Sequence, residues 1–87
     1  MPTVHDVRST HVDLASRVRE IRRDLYGEGG GPMLAEALGV LARTWANYEQ
    51  GVIIPAPVLL RFLELTGADP GWLLTGRGDR YVSVPAT

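Results

Sequence analysis

Apolar residues recur along most of this chain with the period of a helix. Leu14, Val18, Ile21 and Leu25 are spaced by four, three and four positions, which stacks them on one helical face with the neighbouring arginines largely outside it. Thr10 and Asp13 have the spacing of a capping box, with Asp in place of the usual Glu, so this first helix is expected to open near Thr10. Residues 1–9, aperiodic and containing Pro2, read as a flexible arm. The run Gly27-Glu28-Gly29-Gly30-Gly31 ends the helix, because successive glycines make propagation costly. Pro32 suits a first helical residue, so a second, short helix is expected from Pro32 to Leu38, closed by Gly39. Val40-Leu41 turns into a third helix from Ala42 to Gln50, ended by Gly51.

Val52-Ile53-Ile54-Pro55 reads as an extended connector, since the residue before a proline avoids the helical region. A fourth helix is expected from Ala56 to Thr66. Its Val58, Leu59, Leu60, Phe62, Leu63 and Leu65 cover more of the circumference than one core face needs. Asp69-Pro70 has the form of a cap and first residue, opening a short fifth helix that carries Trp72, Leu73 and Leu74 and stops at Gly76. Nothing alternates as a strand. The pattern predicts an all-α fold of five helices over residues 10–76, followed by an irregular tail at 77–87.

With 87 residues, one small domain is the expected count. The absence of cysteine excludes disulfides, thiolate metal sites and a cysteine nucleophile. No apolar run has the length of a signal peptide or a membrane span, so a cytoplasmic protein without membrane contact is expected. His5 and His11 lack metal-ligand spacing, and no Ser-His-acid set or carboxylate pair suggests catalysis. We therefore expect no catalytic residues, no metal, no cofactor and no enzyme. The glycine cluster lacks the Lys-Ser/Thr of a phosphate loop and reads as a connector, and Arg77-Gly78-Asp79 reads as a glycine turn. Trp45 and Trp72 lie among apolar neighbours and read as core or interface residues rather than stacking platforms. The net charge is −1 and every basic residue is arginine, so no lysine carpet draws the chain to phosphates. Arg17, Arg19, Arg22 and Arg23 nevertheless crowd one segment, as phosphate contacts or as a solvated face alternating with Glu20 and Asp24.

Leu34-Ala35, Gly39-Val40, Thr44, Tyr48-Glu49, Gly51 and Pro55 fall in one register, and this arrangement resembles the XRE family of phage repressors and Cro proteins. Asp69-Pro70-Gly71-Trp72-Leu73-Leu74-Thr75-Gly76 is similar to the closing helix of many members. The resemblance implies a lambda-repressor-like DNA-binding domain with a helix-turn-helix formed by the second and third helices. In physical terms, Ala35 lets two helices approach, Gly39 permits the turn, and Val40 plugs the angle between them. Trp45 and Tyr48, three apart, are expected to face inward with Leu34 and Leu38.

The function this implies is sequence-specific transcriptional regulation, with helix 42–50 reading the major groove of double-stranded DNA. By analogy the base-reading positions fall on Ala42, Arg43, Ala46 and Asn47, with Thr44 near a phosphate; from the crowded arginine segment, Arg17, Arg22 and Arg23 are the candidates for further DNA contacts. Arg43 suits guanine O6 and N7, Asn47 suits adenine, and the alanines offer contact with a thymine methyl. A homodimer is expected, its contact placed at Val58, Leu65, Trp72 and Tyr81. Two features depart from the family pattern: Gly30-Gly31-Pro32-Met33 stands where many members carry Thr-Gln, and Leu41 replaces the Ser-like cap of the third helix. They leave room for two other readings, a protein-interaction module on the same fold, or the DNA-binding, antitoxin-type subunit of a larger assembly.

Overall fold

The computed structural model describes the backbone of residues 7–82 and the side chains of residues 13–82; the expected arm over 1–6 and the tail over 83–87 lie outside the described residues. Five helices follow one another: α1 (Val7–Tyr26), α2 (Gly31–Leu38), α3 (Ala42–Glu49), α4 (Ala56–Thr66) and α5 (Pro70–Thr75). Among the described residues there is no strand, only an isolated antiparallel bridge between Ala68 and Tyr81.

α1 opens at Val7, three residues before the expected start, so residues 7–9 of the expected arm are helical and Thr10 lies inside the helix rather than at its end. Val7-Arg8-Ser9 contains no glycine or proline, and extending an existing helix costs far less than nucleating one. The buried face carries Ala15, Val18 and Ile21, with Leu14 partly buried beside them. Leu25 departs from the expected stripe: it is 48% exposed, and the last turn contributes Tyr26 to the core instead. Gly27 then takes a left-handed φ of 84° and donates its N–H to the Arg23 carbonyl, closing the helix.

The turn between α2 and α3 is three residues long. Gly39 adopts φ 77°, which a side chain would strain, and the Val40 N–H returns to the Ala35 carbonyl at 3.0 Å. Leu34 and Ala35 of α2 and Trp45 and Tyr48 of α3 are buried, as their spacing predicts, while Leu38 and Val40 are partly buried against the same cluster. Phe62 of α4 completes the centre, its ring stacked on Trp45 at 5.5 Å between centroids, and Tyr48 meets Trp45 edge-on at 6.1 Å. Trp45 and Phe62 are each 1% exposed, so these rings supply much of the apolar burial on which a domain of this size depends.

Asp69 caps α5 by accepting the Trp72 N–H at 3.1 Å, as expected for Asp before Pro. The residues after α5 are less irregular than their sequence suggests. Asp69 N–H donates to the Arg80 carbonyl and Val82 N–H to the Gly67 carbonyl, pinning the chain across the α4–α5 junction. Tyr81 packs on the core cluster, and its hydroxyl donates to the Asp24 carboxylate of α1. Arg80 lies 5.0 Å above the Trp72 ring.

Candidate nucleic-acid interface

α3 divides cleanly into two faces. Trp45, Tyr48 and Glu49 point into the body and are buried. Ala42, Arg43, Ala46 and Asn47 are exposed, and Thr44 lies at the boundary, partly buried. Positions 42 and 46, and 43 and 47, are one turn apart, so the four side chains form a double row along the outer surface. The guanidinium of Arg43 and the amide of Asn47 have no ion-pair or side-chain hydrogen-bond partner among the described residues.

The inner face is held by a polar cluster that joins α1 to α3. Arg22 Nε and Nη2 donate to Glu49 Oε2 and Oε1 at 2.9 and 2.7 Å, a two-pronged pair with both side chains about one-tenth exposed. Trp45 Nε1–H donates to the same carboxylate. Arg22 Nη1 donates to the Gly27 and Glu28 carbonyls, both at 2.8 Å, so one guanidinium ties α3 to the connector ahead of α2. Arg19 adds a hydrogen bond to the Glu49 carbonyl at the end of α3. Burial pushes the Glu49 carboxyl upward, but the bonds from Arg22 and Trp45 and the charges of Arg22 and Arg19 outweigh it and hold it below its ordinary 4.5. The same bond to Glu49 raises Arg22 against its own desolvation.

This arrangement redistributes the arginines that looked equivalent in sequence. Arg22 is 8% exposed with its donors committed, so it is an internal tie and not a phosphate contact. Arg17 Nη1 donates to the Leu73 carbonyl at 2.9 Å, binding α1 to the last turn of α5. Arg23 is exposed and pairs at 3.1 Å with Glu28, itself 80% exposed. Of the four residues expected at a dimer contact, Leu65 is exposed at 37%, whereas Val58 and Tyr81 are partly buried on the core. Trp72 is 8% exposed and its ring belongs to the interior of its own chain, beneath Arg80. The larger free apolar side chains near and on α4 are Val52, Ile53 and Leu60, 55–62% exposed.

The Glu49 tie was not read from the sequence, although two signals for it are there. Glu49 shares the face of Trp45, four residues earlier, and Arg22 falls four residues after Val18 on the apolar side of α1. Ionisable groups on two inward faces must be paired if the fold is to hold, because an unpaired buried charge is too costly.

A cleft of about 410 Å³ lies between α3 and the chain entering α2, lined by Glu28, Gly29, Gly31 and Pro32, by Ala42, Arg43 and Ala46, and by the Arg22–Glu49–Trp45 cluster. Among the described residues no group of three or more His, Cys, Asp or Glu side chains is placed to hold a metal ion. No described helix is long and apolar enough to cross a membrane. These features define a small all-α domain, with five helices among the described residues, one of which, α3, exposes an outer face of Ala42, Arg43, Ala46 and Asn47. No family model, curated protein or solved structure matches the chain.

Proposed function

We propose that α2 and α3 form a helix-turn-helix and that the protein is a sequence-specific regulator of transcription, entering the major groove of double-stranded DNA with the outer face of α3. The observation that carries this reading is the division of α3. Its inner face is immobilised by stacked aromatics and the Arg22–Glu49 pair, while Arg43 and Asn47 stand unpartnered on the outer face. A planar fork and a planar amide one turn apart suit base edges better than phosphates. Arg43 reads guanine, Asn47 reads adenine, Thr44 and Arg23 lie against the backbone, and a homodimer doubles the small contact of one module.

Fluorescence anisotropy tests the reading. A random duplex pool and fragments flanking the protein's own gene are titrated with protein at several salt concentrations. Tight binding to one fragment, weaker binding to the pool, and affinity that falls with salt are expected, the slope giving the number of phosphates engaged. Arg43→Ala should relax preference at one base pair and cost about 1–3 kcal/mol. The exposed Val52, Ile53 and Leu60, with a net charge of −1, favour a second reading as a protein-interaction module. No binding to any duplex at low salt by folded protein would select it.

A further inference from the structure

We infer that the cleft of about 410 Å³ between α3 and the chain entering α2 binds a small aromatic carboxylate, and that the bound acid occupies Arg43 and so withdraws it from DNA. The site stands on the geometry of the cleft; its effect on DNA rests on the reading proposed above. The volume falls within the range of small-ligand sites, which combine a mostly apolar lining with a few polar groups. Pro32, Ala42, Trp45 and Ala46 supply the apolar part. The opening is held by the fold. Arg22 Nη1 fixes the Gly27 and Glu28 carbonyls at 2.8 Å, while its other nitrogens hold Glu49 of α3. Gly30 lies so close to the end of α1 that a Cβ on it would sit 2.2 Å from the Tyr26 carbonyl oxygen, so the connector is anchored at that point. Gly29 and Gly31 line the cleft without side chains to fill it, and a Cβ on Gly31 would already be 3.6 Å from Trp45 Cδ1.

The charges lining the cleft choose the ligand. Arg22, Glu28, Arg43 and Glu49 are its ionisable residues. Arg22 and Glu49 are spent on one another at 2.9 and 2.7 Å, with the Trp45 indole on the same carboxylate, and Glu28 pairs with Arg23 at 3.1 Å. Arg43 alone has no partner among the described residues. A cation entering the cleft would find both carboxylates taken, whereas the free guanidinium presents a planar fork of donors that matches a carboxylate. A bare inorganic anion would leave the apolar lining unused. An acid whose carboxylate meets Arg43 and whose flat ring lies among Pro32, Ala46 and the indole edge of Trp45 uses both parts of the site. One guanidinium cannot serve a ligand carboxylate and the O6 and N7 of guanine together, so acid and duplex compete, each weakening the other by the same factor.

The test uses the whole chain, with benzoate as the probe and benzamide, similar in shape but uncharged, as its control. In proton–nitrogen NMR titrations at fixed ionic strength, benzoate should shift the amides of Gly29, Gly31 and Ala46 and the Trp45 indole N–H together and to saturation. It should bind about tenfold more tightly than benzamide, as a hydrogen bond to a charged group implies. Arg43→Gln, at an exposed position, should bind the two compounds equally, and Ala46→Leu, also exposed, should fold and weaken both by filling the cleft. Shifts that do not saturate, or equal binding of benzoate and benzamide by the parent, overturn the inference. Benzoate, and not benzamide, should also raise the apparent Kd of the parent for the duplex that it selects from a random pool. A duplex bound equally well at saturating benzoate overturns the withdrawal of Arg43. If benzoate binds and no duplex is selected, the carboxylate site stands and the DNA-binding reading fails; if a duplex is selected and benzoate does not bind, the DNA-binding reading stands and the inference fails.

Discussion

Glu49 illustrates how much one side chain decides. Its carboxylate receives Arg22 twice and the Trp45 indole once, and its main-chain carbonyl receives Arg19. Glu49→Gln leaves the Arg22 charge buried without its partner, which should cost about 3–5 kcal/mol in denaturant unfolding, whereas the paired change Arg22→Met with Glu49→Leu should cost much less. A comparable loss in both would show that apolar packing around the pair, not its charge, sets the stability. Because the folded carboxyl titrates below 4.5, its contribution is complete above that value and is lost as the pH falls through the lower folded value. The parent should therefore lose stability steeply below about pH 4.5, and the double variant less so, as followed by tryptophan emission. Tyr81 behaves in the opposite sense. Burial, then the bond to Asp24 and its charge, push the phenol from 10.0 up to about 12, so its stabilisation is complete below pH 10 and disappears as the pH rises towards 12. Tyr81→Phe should remove the late component from the tyrosinate absorbance titration; its persistence would assign that component to another tyrosine.

At the scale of elements, the helix ends at glycines were legible because left-handed backbone is open to glycine at little cost: Gly39, Gly67 and Gly76 close α2, α4 and α5 where their sequence positions suggest. The glycine cluster ahead of α2 was legible only as a connector. Its members have different jobs that depend on what surrounds them. A Cβ on Gly30 would lie 2.2 Å from the Tyr26 carbonyl oxygen, but one on Gly29 would meet nothing within 4 Å. Gly30→Ala should thus lower the melting temperature by forcing main chain apart, while Gly29→Ala should be neutral or slightly stabilising through the unfolded state. Equal effects would mean that the connector shifts freely, and the close contact between Gly30 and the end of α1 would lose its structural significance.

For the whole molecule, the choice of partner turns on α4 and the segment before it. Val52, Ile53, Leu60 and Leu65 are exposed on one chain, and the proposed homodimer should bury part of this surface. Sedimentation at micromolar concentration should find a dimer, and Leu60→Glu should convert it to a folded monomer with weaker DNA binding. A monomeric parent would remove the dimer from the proposal. The tail is also a whole-molecule feature: residues 80–82 join α1 through the ion pairs of Arg80 with Glu20 and Asp24 and the Tyr81 hydroxyl bond to Asp24, the α4–α5 junction through backbone hydrogen bonds, and Trp72 through the Arg80 guanidinium.

By itself the sequence determined the five helices, most of their limits, and the inward and outward faces of α3, because helical period, caps and glycine turns act over a few neighbouring residues. The early start of α1, the exposure of Leu25 and the pairing of the tail were decided by tertiary structure. So was the sorting of the arginines. Arg17, Arg22 and Arg23 are chemically alike and closely spaced, yet one reaches Leu73, one is buried against Glu49, and one stays at the surface beside Glu28. Local pattern assigns each a face of the helix. Only the packed arrangement of helices distant in sequence supplies the carbonyl, carboxylate or solvent that each guanidinium meets, and with it the distinction between a structural tie and a residue free to bind.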